Sequence, residues 1–130
     1  MTSVRKQLAD HIRTNWPAGQ PVDVRPFGYQ PEELRKPAVA VFREAIAQDG
    51  SQLDHAFKIQ VFGVQATSSE ALEDALDTLL DNVLTALRKH SSVTFGEAKR
   101  LVFLDVFQGW EIDASWTSQD YYKTAALSGG

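Results

Sequence analysis

The chain has 130 residues, 43% hydrophobic and 23% charged, which is enough for one compact domain with a real core and too apolar for a disordered segment. Its 17 acidic residues outnumber its 13 lysines and arginines, and the net charge of −4 argues against broad binding to a phosphate backbone. It contains no cysteine, which excludes disulfides, thiolate chemistry and Cys-ligated zinc.

In chain order, residues 3–16 read as a helix. Val4, Leu8, Ile12 and Trp16 recur every four residues, and Thr2 or Ser3 can cap the start. Pro17 and Gly19 end it. Residues 22–27 form a short strand that Pro26 restricts to an edge or a strand end. Residues 27–37 hold three turn formers and mixed charge, and read as a loop or a single helical turn. The next strand, 38–47, has Val39, Val41 and Arg43 on one side and Ala40, Phe42, Glu44 and Ile46 on the other. Both sides are partly apolar, so the pattern does not fix the inward face. Asp49-Gly50-Ser51 is a hairpin signal, which pairs 38–47 antiparallel with 53–66. Phe57, Ile59 and Val61 alternate with Lys58, Gln60 and Phe62, the period of a strand with one buried face. Gly63 interrupts the buried set, where another backbone or a ring is expected to pack closely.

Thr67 and Glu70 have capping-box spacing. The following helix is the strongest periodic signal. Leu72, Leu76, Leu79, Leu80, Val83, Leu84 and Leu87 make one broad apolar stripe. Glu70, Glu73, Asp74, Asp77 and Asp81 fall mainly on the other side, and Arg88 and Lys89 close the end, so both termini suit the helix dipole. Two readings of the acidic side stay open: a solvated surface, or a docking surface for a partner. After a loop at His90-Ser91-Ser92, a strand starts at 93–95 and bends at Gly96. Residues 101–107 are strongly apolar, Gln108-Gly109 is expected to turn the chain, and Trp110, Ile112, Ala114 and Trp116 alternate with polar residues in a last strand. Residues 124–130 are small, polar and expected to fray.

The expected architecture is a single α+β domain over residues 1–130. It has a mostly antiparallel sheet of about five strands, with the long amphipathic helix and the N-terminal helix on one face. No signal peptide is apparent behind the basic residues of the N-terminus, and no run of about 18 apolar residues occurs, so no transmembrane helix is expected.

No chemical signature stands out. His11, His55 and His90 lack the spacing that puts two imidazoles on one metal, and surface or capping roles account for them. Asp54 and His55 are strand neighbours and point to opposite faces, which separates them as an acid–base pair. Glu111 and Asp113 share a strand face, as acids on a solvated sheet often do. No nucleophile elbow and no glycine-rich phosphate loop occurs. Trp110 and Trp116 read as core, and Tyr121 and Tyr122 as interface residues. No catalytic, cofactor-binding or metal-ligating residue is nominated, and no cofactor is expected.

The strand 57–64, the acidic-leucine helix 69–87 and the hairpin 101–116 with its Trp110-Glu111-Ile112-Asp113-Ala114 strand together resemble the tail terminator (tail completion) proteins of long-tailed bacteriophages. The resemblance implies a non-enzymatic virion protein, assembled in the host cytoplasm and resident in the tail. It would form a hexameric ring that caps the tail tube and presents a surface to the head–tail connector. Its expected partners are further copies of itself, the tail tube protein and the connector protein, with no sequence-specific nucleic-acid contact. A head-closure or tail tube protein is the alternative within the same setting. A small α+β hydrolase or ligand-binding domain is the alternative outside it.

Overall fold

A computed structural model describes residues 3–17, 22–26, 37–63, 69–103 and 107–119. The elements are α1 (Val4–Thr14), β1 (Asp23–Arg25), β2 (Ala38–Asp49), β3 (Gln52–Phe62), α2 (Ser69–Arg88), β4 (Val93–Phe103) and β5 (Phe107–Gln119). The five strands form one sheet in the order β1-β2-β3-β5-β4, with β1 parallel to β2 and every other pair antiparallel. The fold is the expected α+β arrangement.

Helix α1 begins where the Ser3 hydroxyl accepts from the Lys6 amide at 3.2 Å, satisfying one of the donors that a helix start leaves open. Its four-residue step buries Val4, Leu8 and Ile12, and Ala9 with them. Arg13 ties it to β1 by donating to the Val24 carbonyl at 2.5 Å. The stripe on α2 buries Leu76, Leu79, Val83, Ala86 and Leu87. Both helices cover one face of the sheet, where Val39, Val41, Phe57, Ile59, Val61, Ile112, Ala114 and Trp116 complete a single core. Each large aliphatic side chain removed from water there is worth about 1.5–3 kcal/mol.

Gly50, at φ +61°, takes the left-handed conformation that the tight β2–β3 hairpin needs. Gly63 accommodates α2: a Cβ there would lie 2.7 Å from Leu76 Cδ2.

Two expectations are corrected. Gln108 and Gly109 do not turn the chain. They lie inside β5, opposite Val102 and Leu101, and the β4–β5 connection falls between Phe103 and Phe107. Gly109 is glycine for a different reason. A Cβ at this position would collide with the Val61 carbonyl of β3, so glycine permits close backbone approach in mid-sheet. The second correction concerns Ile46. A β-bulge between Arg43 and Ala45 inserts one residue, so Ile46 pairs with His55 and lies on the helix-covered side with Val41, not with Ala40 and Phe42. The loop 27–36, the strand end 64–66, the Thr67 cap, Tyr121, Tyr122 and the tail 124–130 lie outside the described residues.

Candidate interaction surface

Away from the helices, the sheet presents a second face. The pleat that sends Phe57, Ile59 and Val61 into the core sends Lys58 and Gln60 to this side, and β5 contributes Glu111 and Asp113 beside them. Lys58 donates to the Asp113 carboxylate and lies 3.8 Å from Glu111 and 4.0 Å from Glu44. The hydrogen bond to Asp113 is the main reason its ammonium is held above the ordinary lysine value. Gln60 donates to Glu111 at 3.1 Å, Thr117 to Asp54 at 2.9 Å, and Thr94 meets Ser115 at 2.8 Å. At one end this polar field gives way to apolar residues: Ala38, Ala40 and Phe62 are buried, with Phe42 and Leu101 beside them. Glu111 and Asp113 share a strand face as expected, and their function there is to surround a lysine.

One acid of α2 has a specific partner. Glu73 accepts two hydrogen bonds from Arg100 of β4, each 2.7 Å, and Arg100 also reaches Gln108 at 2.8 Å and lies over the Trp110 ring at 5.3 Å. The Arg100 bonds hold the Glu73 carboxyl below the ordinary glutamate value. Asp74, Asp77 and Asp81 are exposed along the same helix.

The histidines depart most from expectation. His55 is not a surface residue: it is 1% exposed, in register with Trp116, and its Nε2 lies 2.9 Å from Ser118 Oγ. Burial, and secondarily the Arg43 charge, lower its pKa against the opposing pull of Asp54. Its Nδ1 is buried with no hydrogen-bond partner among the described residues. Asp54 points to the other face and bonds Thr117, as strand alternation requires. Ser118 and His55 therefore have nucleophile–base spacing, but no carboxylate orients the imidazole and both side chains are buried in the sheet. His55 was legible in the sequence: it falls in step with Leu53, Phe57, Ile59 and Val61, so the period that identifies β3 also assigns His55 to its buried face.

His11 and His90 meet edge to face, 5.0 Å between centroids, where α1 crosses the end of α2, and His90 packs on Trp116 at 4.4 Å. His11 Nε2 donates to the Ala86 carbonyl at 2.7 Å while its Nδ1 accepts from the Asn15 amide at 3.1 Å. His90 Nδ1 accepts from the Ser92 amide at 3.1 Å. Burial, then the neighbouring His11, lower the pKa of His90 from its ordinary value. No group of three His, Asp or Glu residues among those described is placed to hold a metal ion. No helix among them is long and apolar enough to cross a membrane.

Among the described residues, the sheet also has two flanks with no outer strand. β1 covers only residues 38–40 of β2, leaving 41–49 without an outer strand among the described residues, and β4 has none along its length. Each flank carries one exposed large apolar side chain, Ile46 (42% exposed) on β2 and Val102 (59%) on β4. No protein-family model matches this chain, and no curated protein matches it.

Proposed function

We propose that this protein is a structural, non-enzymatic component of a long-tailed phage virion, a tail terminator that forms a ring on the end of the tail tube and offers its outer surface to the head–tail connector. The observation that carries the reading is the pair of sheet flanks that the described residues leave without an outer strand. They are different surfaces on one protomer, β2 at one side and β4 at the other. A ring needs this kind of contact, because head-to-tail interfaces join two unlike patches and close by rotation. The strand–acidic helix–hairpin resemblance supplies the setting. The exposed row Asp74, Asp77 and Asp81 supports docking to a basic partner surface, since Glu73 is already held by Arg100.

Light scattering over a range of concentrations, with negative-stain imaging of the same sample, tests the proposal. A defined hexamer with an open centre is the expected result. Filaments would favour the tail tube reading instead. The Ser118–His55 contact is the observation that favours a hydrolase. A monomer that turns over an activated ester, with activity lost in Ser118→Ala, would establish that reading and overturn the ring.

A further inference from the structure

The two flanks are complementary to each other. Strand β2 runs antiparallel to β3, β3 to β5, and β5 to β4, so β2 and β4 run in opposite directions. A second copy placed beside the first, with its sheet facing the same way, therefore brings its β4 alongside β2 in antiparallel orientation. The side-chain period then restricts the register to alternate positions. Ile46 shares the helix-covered side with its partner His55, and Val102 shares that side with Arg100, which packs on α2 through Glu73. Ala47 pairs with Asp54 on the open side, and Leu101 lies in the Phe62–Gly109 row on that same side.

We infer that β2 residues 45–49 of one copy pair with β4 residues 99–103 of the next, with Ile46 opposite Val102, and that this strand pairing is the protomer–protomer contact of the ring. Ala47 then faces Leu101, a small residue against a large one, and Gln48 faces Arg100. The overlapping stretch of β4 carries Lys99 and Arg100, which already pair with Glu97 and Glu73 of their own chain, and the facing residues 45–48 of β2 carry no charge to oppose them. Moving the register by two residues one way sets Ile46 against Arg100 and loses the apolar match, and moving it the other way carries Ile46 past Phe103, the end of β4. The overlap stops before β1, which occupies the flank of β2 at residues 38–40, and before the bulge between Arg43 and Ala45. Val102 lies towards the β1 end of the sheet and Ile46 towards the hairpin end, so successive copies are offset along the strands as well as sideways. Closing a sheet on itself requires that kind of stagger.

The inference deepens the ring reading, and two experiments separate them. Ile46 and Val102 are exposed, so substitutions there leave the core intact. The chain has no native cysteine, and directly opposed Cβ atoms in an antiparallel pair are about 4.5–5.5 Å apart, close to disulfide reach. The double variant Ile46→Cys/Val102→Cys, oxidised mildly, is expected to give a covalent ladder of dimers and higher multiples, with neither single variant extending beyond dimer. In addition, Ile46→Lys and Val102→Glu should each reduce assembly when alone. Mixed in equal amounts they should reassemble, since one new contact joins Lys to Glu and the other is wild type. A hexamer that forms no ladder and is indifferent to both charge variants would keep the ring and overturn the strand pairing. A ladder from chains that never close would keep the pairing and overturn the ring. A chain that gives no ladder and stays monomeric would overturn both.

Discussion

The two faces of the sheet are built from the same strands and held by different physics. On the covered face Val39, Val41, Phe57, Ile59, Val61 and Ile112 are all removed from water against α1 and α2. On the open face, one residue away along each strand, Lys58 sits among Glu44, Glu111 and Asp113 in partial contact with solvent. Apolar burial is non-directional and involves no charge for salt to screen, so it sets the fold. Exposed ion pairs are weak and screened, so the open face adds little stability. It instead penalises a shifted register, which would carry Lys58 into the core and expose Ile59. The difference separates residues that define the structure from residues available for recognition.

Substitutions on the covered face should have the largest effect. Ile59→Ala, or Leu79→Ala where α2 meets the same core, should cost about 2–5 kcal/mol, measured by urea unfolding. A loss under about 1 kcal/mol would mean that the packing there relaxes freely, against the usual behaviour of a dense interior. Gly109→Ala comes next. The added methyl meets the Val61 carbonyl, a backbone atom that moves only if β3 and β5 separate. A cost of about 1–3 kcal/mol is expected, typical of overpacking. A neutral result would show that the strands tolerate the separation.

Acid should act on the covered face through its histidines. His55 and His90 both have pKa values lowered by burial, so the unfolded chain takes up protons that the folded chain refuses. Their contribution is therefore complete above the unfolded value of about 6.5 and is lost as pH falls from there through the folded values. Urea midpoints should be level in the neutral range and decline below pH ~6.5. In His55→Gln/His90→Gln that decline should flatten. An unchanged pH profile in the double variant would place the acid sensitivity on carboxylates such as Glu73, whose lowered pKa makes its own contribution fail only nearer pH ~4.

The sequence is explicit about whatever rests on periodicity. The stripe on α2, the alternation in β3 and β5 and the Gly50 hairpin all follow from local pattern, and they are enough to specify an α+β sheet with helices on one side. Features that depend on a second strand were not legible. The bulge at Arg43 and Ala45 is a mismatch of lengths between β2 and β3, and it alone determines which side Ile46 occupies. Gly109 carries a turn signal that is local, while its actual constraint, the Val61 carbonyl, lies 48 positions earlier in the chain. The candidate surface was unreadable for the same reason. The flanks are defined only once the strand order is known, and the acids around Lys58 come from β2 and β5 together. His55 is different: a surface or capping role is the expectation from its spacing, although the period of its own strand places it on the buried face.

The open face predicts the smallest effect and the clearest salt dependence. Lys58→Met removes one cation from among three carboxylates and leaves Glu44, Glu111 and Asp113 facing one another. The variant should be modestly less stable at low salt, and the deficit should shrink at high salt, where the repulsion is screened over a few ångströms. Its pH dependence has the opposite sense to that of the histidines. A lysine whose pKa is raised in the fold contributes fully below its unfolded value of about 10.4 and loses that contribution only as pH rises through the folded value. Wild type and Lys58→Met should therefore converge in strong alkali and differ near neutrality. If the deficit persisted undiminished at high salt, Lys58 would be acting through the packing of its stem on the sheet, and the contrast between the two faces would narrow to one of degree.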